Sequence, residues 1–460
     1  MLIGGAPWRI SRLAQAAGEL ASRVASAGSA GLVLNQEAHL RIARVLLDRG
    51  LVDPMPADLD PPGAVEVVIP VFNDSEGLAK LLGSMPESRS TVVDDGSQDS
   101  AHIADLVASS GGTLLRHRHN LGPAAARNTG LARTRAPFIA FIDADCIATP
   151  DWAHRLLHHF HDPRVAAVAP RVLPESEART LLQRYEQTRS SLDMGPTAEL
   201  VLHGARRQFV PSAALVVRRA SLTGPGFDEG LRVGEDVDLV WRLTQAGWLV
   251  RYDPSVTVRH RMRAKPSHWF ARRYRYGTSA PALEHRHPGQ LAPARPSAWT
   301  LSVLALAAAK QPAIALSVTG AACGLLWWRL RGTPHAAGLA ARTVAQGTVA
   351  DAASLGHLLR REWWPAGWAA LAAAPAWRPA RLAALTMIAP LAWDWAIDRP
   401  GIDPVRYAAL RLLDDAAYGS GVIASCARAR MAAPLIPVVR WPRAGPRPGR
   451  SALAGRGLPG

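Results

Sequence analysis

The chain has 460 residues, with 53 Lys or Arg against 37 Asp or Glu, a formal net charge of +16. That length allows two or three domains and a large core, and the basic balance admits nucleotides, nucleic acid or an acidic membrane face as partners. The cysteines Cys146, Cys323 and Cys426 are widely separated and make neither a disulfide framework nor a zinc site, so a reducing compartment is expected. Arginine far outnumbers lysine, as a GC-rich coding bias produces, so basicity alone is weak evidence of any partner.

The first 63 residues read as a small α+β module. Leu2 to Gly5 and Trp8 to Ile10 suit short strands around a turn, and Leu40 to Arg49 is amphipathic at helical spacing and stops at Gly50. Arg9, Arg12, Glu19, Arg23 and Glu37 interrupt the apolar residues, which excludes a signal peptide. A Pro- and Asp-rich linker follows from Asp53 to Gly63. The module loosely resembles winged-helix-like units that bind precursor peptides, and equally suits a packing extension of the next domain.

Residues 64–290 alternate strand and helix patterns. Val65 to Val71, Ser90 to Val93, Thr113 to Leu115 and Phe138 to Ile142 read as strands, separated by helices at Ser75 to Leu82, Ala101 to Ser109 and Ala124 to Thr134. This predicts an α/β domain with a doubly wound, mainly parallel sheet, whose ligands sit at the carboxyl ends of the strands.

The polar clusters do follow strands. After the first come Pro70, Val71, Phe72, Asn73 and Asp74. After the second come Asp94, Asp95, Gly96, Ser97, Gln98 and Asp99. The carboxylates of Asp94 and Asp95 can accept from a base N–H or a ribose hydroxyl, while Asp99 suits a helix cap. Between the third strand and its helix stand Asn120, Leu121, Gly122, Pro123, Arg127 and Asn128. Helix amides and Arg127 there can meet phosphate or ribose oxygens, although an exposed surface arginine fits equally.

Phe138 to Ile142 is a buried-strand pattern that ends in Asp143 and Asp145, one residue apart. Alternate side chains in extended chain point the same way, so both carboxylates can converge on one Mg²⁺ or Mn²⁺ ion with room for phosphate. An acidic turn is the bland alternative. Cys146 behind the pair reads as a small buried filler.

Gly234, Glu235, Asp236 and Asp238 open an amphipathic helix, where acids favour the helix dipole. A carboxylate there can also take the proton of an attacking hydroxyl, and one such base serves a single, inverting displacement. Ser255 to His260 reads as a strand whose last residue can complete a metal shell, bind a diphosphate or be structural. Arg259, Arg261, Arg263, Lys265, Arg272, Arg273 and Arg275 follow with Trp269, Phe270, Tyr274 and Tyr276 interleaved and no acid between them. Diphosphate capture, an anionic membrane face, sugar stacking or a solvated face would each suit that run. No recognition helix or RNA-binding sheet accompanies the charge, so no nucleic-acid partner is expected.

Residues 291–440 are rich in Ala, Leu, Trp and Pro and are expected to form a hydrophobic helical region associated with the membrane. Gln311 to Trp328 carries no charge and ends in an aromatic pair beside Arg329, a marginal span. Residues 441–460, rich in Arg, Pro and Gly, are expected to be disordered.

In order along residues 65–265, these pieces resemble glycosyltransferase family 2. The resemblance implies a GT-A fold, a nucleotide-sugar donor and a divalent ion. It implies Asp143 and Asp145 as the metal-binding acidic motif with His260 as a further ligand, Asp95 with Asp94 as uridine readers, and Asp236 as general base beside Glu235. Pro70, Phe72, Asn73, Arg127 and Asn128 belong to the matching pieces and are expected along the nucleotide-sugar. The family's processive synthases carry a Gln-x-x-Arg-Trp signature after the base; it is missing here, which argues against long-chain synthesis.

The opening Leu2 to Ile10, the stretch Leu46 to Pro54 and the Trp-rich end look like the mycofactocin glycosyltransferases, which decorate a peptide-derived redox cofactor with β-linked glucose. That likeness implies UDP-glucose as donor, a peptide-derived cofactor or saccharide as acceptor, and a cytoplasmic-membrane location with the catalytic domain facing the cytoplasm. A membrane glycosyltransferase for lipid-linked or envelope saccharides is the alternative within the class. A nucleotidyltransferase and a non-catalytic nucleotide-sugar-binding scaffold are the alternatives outside it.

Overall fold

The computed structural model describes residues 2–441 apart from residues 5, 7, 8, 12, 13, 56–59, 87–89, 176, 263 and 264. The chain divides into two compact units, one of Met1–Leu291 with Leu391–Pro434 and one of Ala292–Pro390 with Leu435–Gly460. The strands of the first are β1 (Leu2–Gly4), β2 (Arg9–Ser11), β3 (Val65–Val71), β4 (Ser90–Asp94), β5 (Thr113–Arg116), β6 (Phe138–Ile142), β7 (Cys146–Ile147), β8 (Val165–Pro174), β9 (Glu199–Val201), β10 (Ala214–Arg218) and β11 (Leu249–His260).

β1 and β2 pair antiparallel by themselves. The rest form one sheet in the order β5-β4-β3-β6-β10-β8-β11-β7, with β9 also on β11. β5, β4, β3 and β6 run parallel, joined by helices Ser75–Ser84, Ser100–Ser109 and Pro123–Arg133. β10 then runs antiparallel between β6 and β8, and β11 lies parallel to β8 with β7 and β9 antiparallel on it. The result is the expected GT-A-like α/β sheet, parallel in its first half and mixed beyond.

The apolar strands explain this placement. Every residue of β6 is buried, as in a sheet covered on both faces. Val67, Ile69, Val71, Phe138, Ala140 and Ile142 enter one core cluster, and Val68, Ile139 and Phe141 enter another. That split follows the two-residue period of extended chain. Each large side chain so buried contributes about 1.5–3 kcal/mol, which holds the strand ends rigid where the polar loops begin.

Asp99 stands at the N-cap of Ser100–Ser109, yet its side chain makes no capping hydrogen bond. Asp74 does cap, accepting from the Gly77 N–H at 3.1 Å. The N-terminal residues pack within the first unit. Leu46 on helix Glu37–Asp48 is buried, Asp48 pairs with Arg164 at 2.6 Å, and Ala6 shares an apolar cluster with Leu200 and Ala205.

Two expectations about charge and boundaries change. Arg272 and Arg273 on helix Pro266–Gly277 are buried, and their counter-ions come from distant sequence: Glu186 for both, and Asp414 at 2.7 Å for Arg273. They are therefore not part of an exposed anion-binding face. Helix Pro404–Ala429 runs against Pro266–Gly277 so closely that Gly277 meets the Tyr418 carbonyl and Gly421 the Tyr274 carbonyl, with no room for a Cβ at either. Residues 391–434 thus belong with the first unit, although their composition groups them with the hydrophobic region.

The second unit holds helices Ala298–Ala308, Pro312–Leu330, Ala336–Arg360 and Trp364–Ala373. Asp351 is buried there, accepting from Ser297, Thr300 and Arg440. Pro312–Leu330 is, among the described residues, the one helix long and apolar enough to cross a membrane. It leaves Leu316, Trp327 and Trp328 more than half exposed. The expected disordered tail, apart from Trp441, lies outside the described residues, as do Arg263 and part of the Pro-rich linker.

Candidate active site

The loops after β3 and β4 are zipped together. Asn73, in the left-handed region at φ +50°, donates its N–H to Ser97 Oγ at 2.8 Å and accepts from the Gln98 N–H at 2.9 Å. Pro70 ends up within β3, and the Phe72 ring beyond it stays 48% exposed at the strand end. An exposed aromatic beside polar loops can stack a planar base.

Asp94 and Asp95 look inward. Asp94 is fully buried; it accepts from the Ser97 N–H at 2.9 Å and faces Arg116 at 3.4 Å. Asp95 accepts from the Leu121 and Gly122 N–H groups at 2.9 and 2.8 Å and meets His117 Nδ1 at 2.7 Å. His117 Nε2 lies 2.9 Å from Thr129 Oγ1. Three of the acceptor sites of Asp95 are therefore filled by the protein. Its geometry shapes the turn at Gly122, where φ is +104° and Pro123 opens the next helix.

Arg127 lies on that helix and is buried rather than exposed, at 3% of its surface. It donates from Nη1 to Glu235 Oε1 at 2.8 Å and from Nη2 to Asp143 Oδ1 at 2.7 Å, with its guanidinium 5.3 Å from the Phe227 ring centre. One planar fork thus joins the β6 acidic turn to the Gly234–Asp238 helix start, which are 92 residues apart in Asp143 and Glu235. Asn128 binds the Phe227 backbone through both ends of its amide and donates to Glu229, so it holds that loop.

Asp143 and Asp145 keep 31% and 18% of their side chains exposed, with the intervening Ala144 buried. β7 pairs with the end of β11, which sets His260 opposite Cys146 and its Nε2 3.2 Å from Asp145 Oδ2. Two partly exposed carboxylates and an imidazole at one strand edge are a donor set that fits Mg²⁺ or, better, Mn²⁺. Desolvation raises the Asp143 carboxyl above its ordinary range; Arg127 pulls it back and Asp145 adds to the rise. Burial pushes the Cys146 thiol well up, which suits a packing residue.

Gly234 takes φ +85° at the head of helix Glu235–Gln245, against Ser279 and Leu283. Burial, with Asp236 alongside, pushes Glu235 up to about 7 against the pull of Arg127. Desolvation also raises Asp236, whose Oδ2 accepts from the Ser212 N–H at 3.3 Å. Asp238 points inward to His287 and Arg242, at 2.9 and 2.7 Å, and anchors the helix from below.

The structure therefore gathers Asp143, Glu235, Asp236 and Arg127, with Asp145 and His260 alongside. It buries Asp94 and Asp95, and turns the Asn128 amide to the Phe227 loop. Sequence reasoning missed the roles of Phe227, Ser212 and His287, and it read Arg261 only as part of a basic run, whereas Arg261 binds Asp74 at 2.7 Å. Spacing gives no signal for these, since each partner is far along the chain.

Residues 66–222 match the profile of Glycosyl transferase family 2. The pre-mycofactocin glycosyltransferase of Mycobacterium tuberculosis (strain ATCC 25618 / H37Rv) is 37% identical over 453 residues, 95% of this chain and 94% of that protein. The succinoglycan biosynthesis protein ExoU of Rhizobium meliloti (strain 1021) is 31% identical over 40% of this chain and 58% of its own length. A mannosyltransferase from Pyrobaculum calidifontis, solved with GDP-Man and Mn²⁺, covers 72% of this chain and 92% of its own at 17% identity and a TM-score of 0.39, too distant to add to the assignment. A near-full-length relative and a matched catalytic segment together establish that the chain belongs to glycosyltransferase family 2, among its pre-mycofactocin glycosyltransferases.

Proposed function

We propose that this glycosyltransferase moves glucose from UDP-glucose, with inversion, onto a peptide-derived redox-cofactor precursor of the mycofactocin type. The carrying observation is the Arg127 bridge, which holds the Asp143 side and the Glu235–Asp236 side of one cleft together. Asp143, Asp145 and His260 would hold Mg²⁺ or Mn²⁺, which when bound supplies Lewis-acid stabilisation of a departing diphosphate. Phe72 would carry the base, with Asn73 and the Asp94–Asp95 turns shaping its seat. Asp236 would accept the proton of the acceptor hydroxyl as that oxygen attacks the anomeric carbon. Glu235, tied to Arg127, would keep the Asp236 carboxylate in place.

The catalytic unit would work on the cytoplasmic side of a membrane. The exposed Leu316, Trp327 and Trp328 of Pro312–Leu330 favour a bilayer or its interface as their surroundings. Incubation with UDP-glucose, Mn²⁺ and the precursor peptide should release UDP and add a hexose mass to the peptide. Release of glucose 1-phosphate, with UMP left on the acceptor, would identify a nucleotidyltransferase instead, and release of neither product would leave a binding scaffold. Transfer to lipid-linked saccharides but not to the peptide would replace the acceptor.

A further inference from the structure

Away from the strand-end carboxylates, His158, His159 and Asp253 each offer one ligand atom, all within 4.8 Å of one another. The histidines lie on the 3₁₀ helix His154–His161, with ring centres 4.0 Å apart. Asp253 lies on β11 where its pairing with β8 skips from Asp253 to Thr257, so its carboxylate leaves the ladder.

The hydrogen bonds decide which atoms face inward. His158 Nδ1 lies 2.8 Å from the Arg155 carbonyl oxygen, which can only accept, so that nitrogen carries the proton and Nε2 carries the lone pair. That Nε2 is buried without a hydrogen-bond partner and stands 3.9 Å from Asp253 Oδ2. His159 Nε2 lies 2.9 Å from the same oxygen, and its Nδ1 is also buried without a partner. His159 and Asp253 are 7% and 6% exposed. A lone pair aimed at a buried carboxylate is unfavourable unless a proton or a cation lies between them. An imidazole with Nδ1–H on a backbone carbonyl and Nε2 directed at a shared point is the arrangement of metal-bound histidine.

We infer that His158, His159 and Asp253 form a site for a borderline divalent cation such as Zn²⁺, which ties the 3₁₀ helix after β7 to the first half of β11. Two imidazoles and a carboxylate suit such a cation better than the all-oxygen preference of Mg²⁺. The site holds β11 seven residues before His260, so its occupancy sets the rigidity of the strand that ends beside Asp145.

The test uses the full chain with Asp143→Ala and Asp145→Ala, which removes the strand-end carboxylates from the count. After chelator dialysis, Zn²⁺ loading and gel filtration, mass spectrometry of the metal content should find about one zinc per chain. His158→Phe keeps the ring stack and removes the nitrogen; in that background it should weaken Zn²⁺ binding at least about 10-fold. Co²⁺ in place of Zn²⁺ should give visible absorption that His158→Phe abolishes, with far-ultraviolet circular dichroism unchanged. His159→Gln should do the same, so the inference does not hang on one variant. Zinc content unchanged by both substitutions, or no zinc retained by the parent, would overturn it.

Discussion

Replacing Arg127 by methionine keeps much of the side-chain volume and removes the cation shared by Asp143 and Glu235. Breaking a buried ion pair by removing one partner costs about 3–5 kcal/mol, because a charge is left unpaired. Asp143 retains 31% exposure, so water compensates part of its loss, and about 3 kcal/mol remains. For a large domain that corresponds to a drop in unfolding midpoint of roughly 6 °C. The deficit depends on pH. A carboxyl raised in the folded state favours folding below its unfolded value and loses that advantage as pH climbs through its folded value, which for Glu235 is about 7 even with Arg127 present. Without Arg127 both carboxyls rise further. The midpoint loss of Arg127→Met should therefore be larger at roughly pH 8.5 than at roughly pH 5.5. Differential scanning calorimetry of both proteins at the two pH values measures this. An equal loss at both, or none, would refute the bridge as the tie between the two acidic clusters.

Asp236→Asn should lower kcat by about 10²–10⁴-fold while donor affinity, read by calorimetric titration with UDP-glucose, survives; near-normal turnover would remove Asp236 as base. Asp236, raised by desolvation, should give kcat/KM an acid limb above the ordinary aspartate range, because a base works only once deprotonated; a profile flat down to the ordinary aspartate value would contradict this. Asp145→Ala should abolish the part of UDP binding that responds to Mn²⁺, and unchanged metal dependence would place the ion elsewhere. Phe72→Ala should weaken UDP binding by about 1–3 kcal/mol, the worth of one stacked base, with kcat little changed.

Much of the site's inventory was legible because local patterns carry it. The apolar run Phe138 to Ile142 requires a buried strand, and a buried strand presents Asp143 and Asp145 together at its end. Gly234 followed by Glu235, Asp236 and Asp238 requires a helix start rich in acid. What those groups do to one another was not legible. Arg127 reads locally as a surface residue, and it became the link between the clusters because the sheet brings its helix against both. Asp95 reads as a ligand contact, and its hydrogen bonds to Leu121, Gly122 and His117 carry no local signal. Arg272 and Arg273 read as an unpaired basic run, yet Glu186 and Asp414 neutralise them from far along the chain.

By itself the sequence determined the four parallel strands of the first half of the sheet, the helices between them and the order of the acidic turns, since hydrophobic period and turn chemistry act over a few neighbouring residues. Tertiary structure alone decided which charges meet, because partners such as Arg127 with Glu235 or His158 with Asp253 are set by strand order and register, about which local pattern carries no information. Burial then fixed their strength, as the same groups would barely interact in water.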